Sequence, residues 1–109
     1  MLIHALLQEM FNCPYSNDSF APYSEEIPAS AAAIDSSLHP SSAMLSAVAK
    51  AHGVTLIGGS IPEKVTSPDE EKTKLYNTSL ILGGDGEFLG KHRKVSCSFG
   101  RVHAVFHWI

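Results

Sequence analysis

Between Pro40 and His52 the apolar side chains Met44, Leu45, Val48 and Ala49 fall on one stripe at helical spacing, which predicts an amphipathic helix. Pro40 suits the first turn, where a missing N–H costs nothing, and Gly53 supplies the stop. Directly after it, Val54-Thr55-Leu56-Ile57-Gly58-Gly59-Ser60-Ile61 is rich in β-forming residues and predicts a strand. Its two glycines suggest a backbone packed closely against something else. Helix followed by strand implies an α/β layer. Leu75 to Leu82 and Glu87 to Lys91 flank Gly83-Gly84-Asp85-Gly86, a turn-rich tetrad that predicts a hairpin of two antiparallel strands.

The remaining stretches carry weaker patterns. Residues 1 to 11 favour helix by propensity, yet their short apolar run fits a buried strand equally well. Residues 12 to 34, rich in Ser, Pro, Asn and Asp, read as a long loop with room for a short helix. Residues 62 to 74 are charged and show no apolar face, so they are expected to form a solvated loop.

Composition narrows the functional classes. The 109 residues, 44% hydrophobic, suit one globular unit. Eight Lys and Arg against eleven Asp and Glu give a formal charge of -3, which offers no field for nucleic acid. Met1-Leu2-Ile3-His4-Ala5-Leu6-Leu7 lacks the basic flank and cleavage site of a signal peptide. No apolar run approaches the ~20 residues of a membrane helix, so a soluble chain in the cytoplasm or an organelle is expected, with no membrane partner. Cys13 and Cys97 show no C-x-x-C spacing, which argues against a disulfide framework or zinc ribbon and for a reducing compartment.

Four blocks taken together add a resemblance. Leu7-Gln8-Glu9-Met10-Phe11-Asn12-Cys13-Pro14-Tyr15, Leu56-Ile57-Gly58-Gly59-Ser60-Ile61-Pro62-Glu63, Leu75-Tyr76-Asn77-Thr78 and Gly90-Lys91-His92-Arg93-Lys94 resemble, in order and spacing, successive blocks of the omega-amidases, a branch of the nitrilase superfamily of carbon-nitrogen hydrolases. The resemblance covers residues 5 to 95. It implies an α/β fold, the N-terminal part of an α-β-β-α sandwich in which two sheets pack face to face. It places residues 2 to 7 in a buried strand ending just before Glu9, against their helical propensity. It also implies a small amide as substrate, no metal or cofactor, and a homo-oligomer for the complete family member. The expected organisation is a partial hydrolase domain over residues 1–95 and a divergent apolar tail over 96–109.

The chemistry implied is that of a Glu-Lys-Cys triad. An amide is opened by a nucleophile, a group that moves its proton, and a cation where negative charge develops. Glu9 matches the family's general base and Lys94 its oxyanion-stabilising lysine. Taken alone, Glu9 would read as a surface glutamate and Lys91 to Lys94 as a solvated strand end; Lys91 and Arg93 are still expected to be exposed. Leu6, Leu7, Met10 and Phe11 suit a partly apolar pocket around Glu9. Gln8 stands where the family usually has proline, which removes a fixed φ from the turn presenting Glu9. The family's nucleophile block, Gly-x-Cys-Tyr-Asp, is absent from these residues: Cys13 reads as a packing residue and Cys97 belongs to the tail. Such a chain is expected to be inactive alone. Two alternatives are a fragment that binds or regulates a full-length homologue, and a metal site at Cys97, His103 and His107, against which the tail's strand-like pattern would space the imidazoles too far apart.

Overall fold

A computed structural model describes residues 4–66, 73–94 and 107–108. Strand β1 (His4–Leu6) leads into a loop carrying a short helix α1 (Asn17–Phe20) and a 3-10 turn (Ala31–Ala33). Helix α2 (Pro40–His52) follows, then β2 (Thr55–Thr66), β3 (Thr73–Leu82), β4 (Phe88–Lys94) and β5 (His107–Trp108). The strands form one sheet in the order β1-β2-β3-β4-β5, with β1 parallel to β2 and the other pairs antiparallel.

Helix α2 forms where the stripe predicts it. Gly53 ends it at φ 59°, a left-handed conformation that glycine adopts without a Cβ penalty, and its N–H returns to the last turn. Leu45 and Ala49 pack against Leu56, Leu80 and Leu82 to make the core, flanked by Ala5, Phe11, Ile27 and Phe88. The buried stripe is narrower than expected, because Met44 and Val48 stay about two-fifths exposed at 41% and 39%. Among the described residues α2 covers one face of the sheet, an arrangement that matches a helix layer and a sheet layer of the sandwich.

The loop between β1 and α2 runs along the free edge of β2. Glu25 N–H donates to the Pro62 carbonyl at 2.9 Å, and Lys64 N–H donates to the Glu25 carbonyl at 2.8 Å. The Pro62 carbonyl points to this edge, so its absent N–H deprives no interior strand of a bond. The Glu25 carboxylate accepts from Asn12 Nδ2 at 3.0 Å, from Ser41 N–H at 2.8 Å and from Ser41 Oγ, which caps the start of α2. Glu25→Ala should therefore cost about 0.5–2 kcal/mol, read as a lowered thermal midpoint.

Of the expected loop over residues 62 to 74, residues 62–66 and 73–74 differ from expectation, and 67–72 lie outside the described residues. Strand β2 continues to Thr66 and β3 begins at Thr73, with Pro62 and Glu63 fully buried rather than in a solvated loop. The charges concealed a strand because Glu63 is buried with its counter-charges. Likewise β4 runs to Lys94, three residues beyond the predicted Lys91.

Candidate functional site

Strand parity sorts the functional side chains onto two faces. On β3, Thr78, Leu80 and Leu82 turn towards the α2 side and are buried, so Asn77 and Ser79 turn to the other. The register pairs Asn77 with Lys94 and Ser79 with His92, which sends these four to the face opposite α2. On β2 the same face receives Ile57 and Ser60, because a bulge at Gly58-Gly59 separates the pair Ile57↔Ile81 from Ser60↔Ser79.

Glu9 reaches this face from the end of β1. The chain leaves β1 across Gly59, where a Cβ would sit 1.7 Å from the Gln8 carbonyl oxygen, while a Cβ on Gly58 would meet Leu45 Cδ1 at 2.7 Å. The closely packed backbone expected from the two glycines is present on both sides. Met10 then adopts φ 50°, and its N–H donates to Ser60 Oγ at 3.1 Å while Phe11 N–H donates to the Ser60 carbonyl at 3.3 Å. With Gln8 in place of proline, the turn is held by Gly59 and Ser60. Gly59→Ala should cost roughly 1–3 kcal/mol, since a carbonyl of the backbone has to move, and a urea midpoint would register it.

Glu9 and Lys94 meet across a cavity of about 250 Å³ whose lining includes Leu7, Ser60, Asn77 and His92. Lys94 Nζ lies 3.5 Å from Glu9 Oε1, and Asn77 Nδ2 donates to the same oxygen at 2.6 Å. The expected apolar pocket around Glu9 is only partly built. Met10 is buried, but Leu6 and Leu7 are exposed, and the Glu9 and Lys94 side chains are 40% and 49% exposed. The contact is thus a solvated one here, of little worth to stability.

Lys91 and Arg93 correct the sequence reading most sharply. They project to the α2 side, where both pair with Glu63, itself 2% exposed. Arg93 Nε and its terminal nitrogen donate to the two Glu63 oxygens at 2.7 and 2.9 Å, Lys91 Nζ donates at 3.1 Å, and Thr78 Oγ1 donates at 2.8 Å. Arg93 also stacks on Tyr76, 4.5 Å from the ring centroid. Burial pushes the Glu63 carboxyl up, but hydrogen bonds from Arg93 and Thr78 and the charge of Lys91 outweigh it and hold the group below the usual carboxylate range. Arg93 is correspondingly held more firmly protonated by its hydrogen bond to Glu63. Sequence reasoning missed this cluster, although alternation along β4 contained the signal. If Lys94 faces the cavity, Lys91 and Arg93 must face the other way.

Cys13 is half-buried, and burial pushes its thiol up, which favours the protonated form over a thiolate. Among the described residues no three His, Cys, Asp or Glu side chains gather to hold a metal. Of the tail's candidate ligands, Cys97 and His103 lie outside the described residues, and His107 belongs to β5, paired with Arg93. Among the described residues no helix is long and apolar enough to cross a membrane. The expected boundary at residue 95 also lies outside the described residues.

The comparisons with known proteins agree with the blocks read from sequence. Over 90 residues the chain is 51% identical to the chloroplastic omega-amidase of Arabidopsis thaliana, a match covering 83% of this chain and 21% of that protein. It is 44% identical over 89 residues to omega-amidase NIT2 of Mus musculus, covering 82% of this chain and 26% of the mouse protein. With omega-amidase NIT3 of Saccharomyces cerevisiae the identity is 41% over 92 residues, 83% of this chain and 28% of the yeast protein. The matched segment thus spans about a fifth to just over a quarter of these relatives. Residues 5–103 match the family model for carbon-nitrogen hydrolase, and on that match the chain belongs to the carbon-nitrogen hydrolase family.

Proposed function

We propose that these residues supply part of the active site of an omega-amidase-like hydrolase that cleaves the C–N bond of ω-amides of small dicarboxylates. One observation carries the reading: Glu9 and Lys94, 85 positions apart in sequence, converge to 3.5 Å at one cavity on the face opposite α2. The relatives bearing the omega-amidase name supply the substrate class.

In this reading Glu9 takes the proton of a cysteine thiol as its sulfur attacks the amide carbon. The carbonyl π pair moves to oxygen, and Lys94 Nζ stabilises that oxyanion. Collapse of the adduct breaks the C–N bond; ammonia leaves with the proton returned from Glu9, and a thioester remains. Glu9 then draws a proton from water, whose oxygen attacks the thioester and frees the acid and the thiol. Covering the cavity face would exclude water and strengthen both interactions.

The nucleophile is the component to be supplied. Cys13 and Cys97 are the two cysteines of the chain, and neither lies in a Gly-x-Cys-Tyr-Asp block. The 109-residue chain by itself is therefore expected to release no ammonia from succinamate or glutaramate. Residues 1–94 continued by the C-terminal remainder of the Arabidopsis relative are expected to release it, with no loss on chelation. Turnover by the 109-residue chain that disappears on alkylation would instead make one of its own cysteines the nucleophile. An inert continued chain would remove the reading.

A further inference from the structure

The Glu9 carboxylate is held less by packing than by two side chains from one cross-strand pair. Asn77 and Lys94 are directly opposed on β3 and β4, and both reach Glu9 Oε1, Asn77 at 2.6 Å and Lys94 at 3.5 Å. The two donors differ in what else is asked of them. Lys94, read as the oxyanion cation, must turn its ammonium to the substrate, whereas the Asn77 amide carries no charge and remains a donor throughout the working pH range. The other end of Asn77 gains little from the fold, because Oδ1 is buried with no hydrogen-bond partner among the described residues. A leucine of similar shape would leave no such acceptor stranded.

We propose that Asn77 is a positioning residue for the general base: its amide fixes Glu9 Oε1 and leaves Oε2 as the oxygen that takes the nucleophile's proton. The inference rests on the reading of Glu9 as base. In the step it governs, the thiol S–H bond breaks, the proton goes to Oε2, and the electron pair stays on sulfur. Through that step Asn77 keeps Oε1 paired while Lys94 turns away.

Two measurements test it. In the 109-residue chain, the Asn77 side-chain amide resonances should move as acid protonates the Glu9 carboxylate, and should cease to do so in Glu9→Gln; resonances indifferent to Glu9 in the unsubstituted chain overturn the contact. In the ammonia-releasing continued chain, Asn77→Leu should lower kcat by about 10–100-fold with KM little changed and the melting temperature equal or higher, as expected when a reacting group is misplaced. Asn77→Asp should lower kcat further and move the acidic limb of the pH profile upward, because two carboxyls in contact hold a shared proton longer. An Asn77→Leu kcat near that of the parent, or a loss accompanied by a matching drop in melting temperature, overturns the positioning role. Glu9→Gln in the same background separates the two ideas. If Glu9→Gln still turns over, the reading of Glu9 as base fails; if it is dead and Asn77→Leu is not, only the present inference fails.

Discussion

Glu9→Gln, placed in a continued chain that releases ammonia, should lower kcat by about 10²–10⁴-fold, the usual cost of losing a general base. The substitution is clean because glutamine keeps the shape and can still present an oxygen to Asn77 Nδ2, whose bond to Glu9 is 2.6 Å long. The ability to take a proton is removed together with the charge that pairs with Lys94 at 3.5 Å, and that pair, being solvated, contributes little to stability. Lys94→Met keeps the length of the stem and deletes the charge, with about 10²–10³-fold expected from the lost oxyanion donor. Combining the two should cost far less than the product of the single losses, since groups that serve one step are not additive. Steady-state ammonia release decides the matter, and wild-type turnover in either variant would falsify its assignment.

Glu63→Ala is expected to be the most damaging change to the fold. It leaves Lys91 and Arg93, half-buried on the α2 side, without the carboxylate that both contact. Removing one member of a buried pair costs about 3–5 kcal/mol, and the lower end applies because both cations retain some access to water. The effect should depend on acid with a definite sign. The Glu63 carboxyl is held below its ordinary value of 4.5 in the folded chain, so its contribution is complete above that value and lost as pH falls towards and through the folded one. Urea midpoints of the parent and Glu63→Ala should thus lie far apart at neutral pH and converge in acid. A gap unchanged in acid would mean that the lost stability is packing and not charge.

What could be read from sequence follows a physical division. Helix α2 and the β3-β4 hairpin were legible because both are specified locally, one by an apolar stripe with a glycine stop and the other by a glycine-rich turn. Strand β1 was not legible in that way. Three residues paired in parallel with Thr55 to Ile57 depend on a partner about fifty positions away, and helical propensity pointed elsewhere until the family blocks overrode it, although the strand those blocks implied was a buried one and Leu6 is 73% exposed. The extension of β2 through Glu63 was hidden for a related reason, since a charge reads as exposed until its partners at positions 91 and 93 are known. Asn77 gave no signal of its own. It matters through its register with Lys94 and its reach to Glu9, both set by tertiary structure.

The register shift near the start of β4 has a consequence for how the sheet selects one alignment. Ile81 pairs with Gly90 and Leu82 with Phe88, so Leu89 is an extra residue, about half exposed at 53%, beside a Phe88 that packs on the core. Two adjacent apolar residues cannot by themselves determine which of them points inward, and a slip of one position would bury leucine in place of phenylalanine. The same slip would turn Lys91 and Arg93 into the cavity and Lys94 towards Glu63, exchanging a two-pronged guanidinium contact for a single ammonium and leaving the Tyr76 ring bare. Oily side chains tolerate the wrong alignment; the buried carboxylate discriminates against it, and so acts as a proofreader for the strand that delivers Lys94.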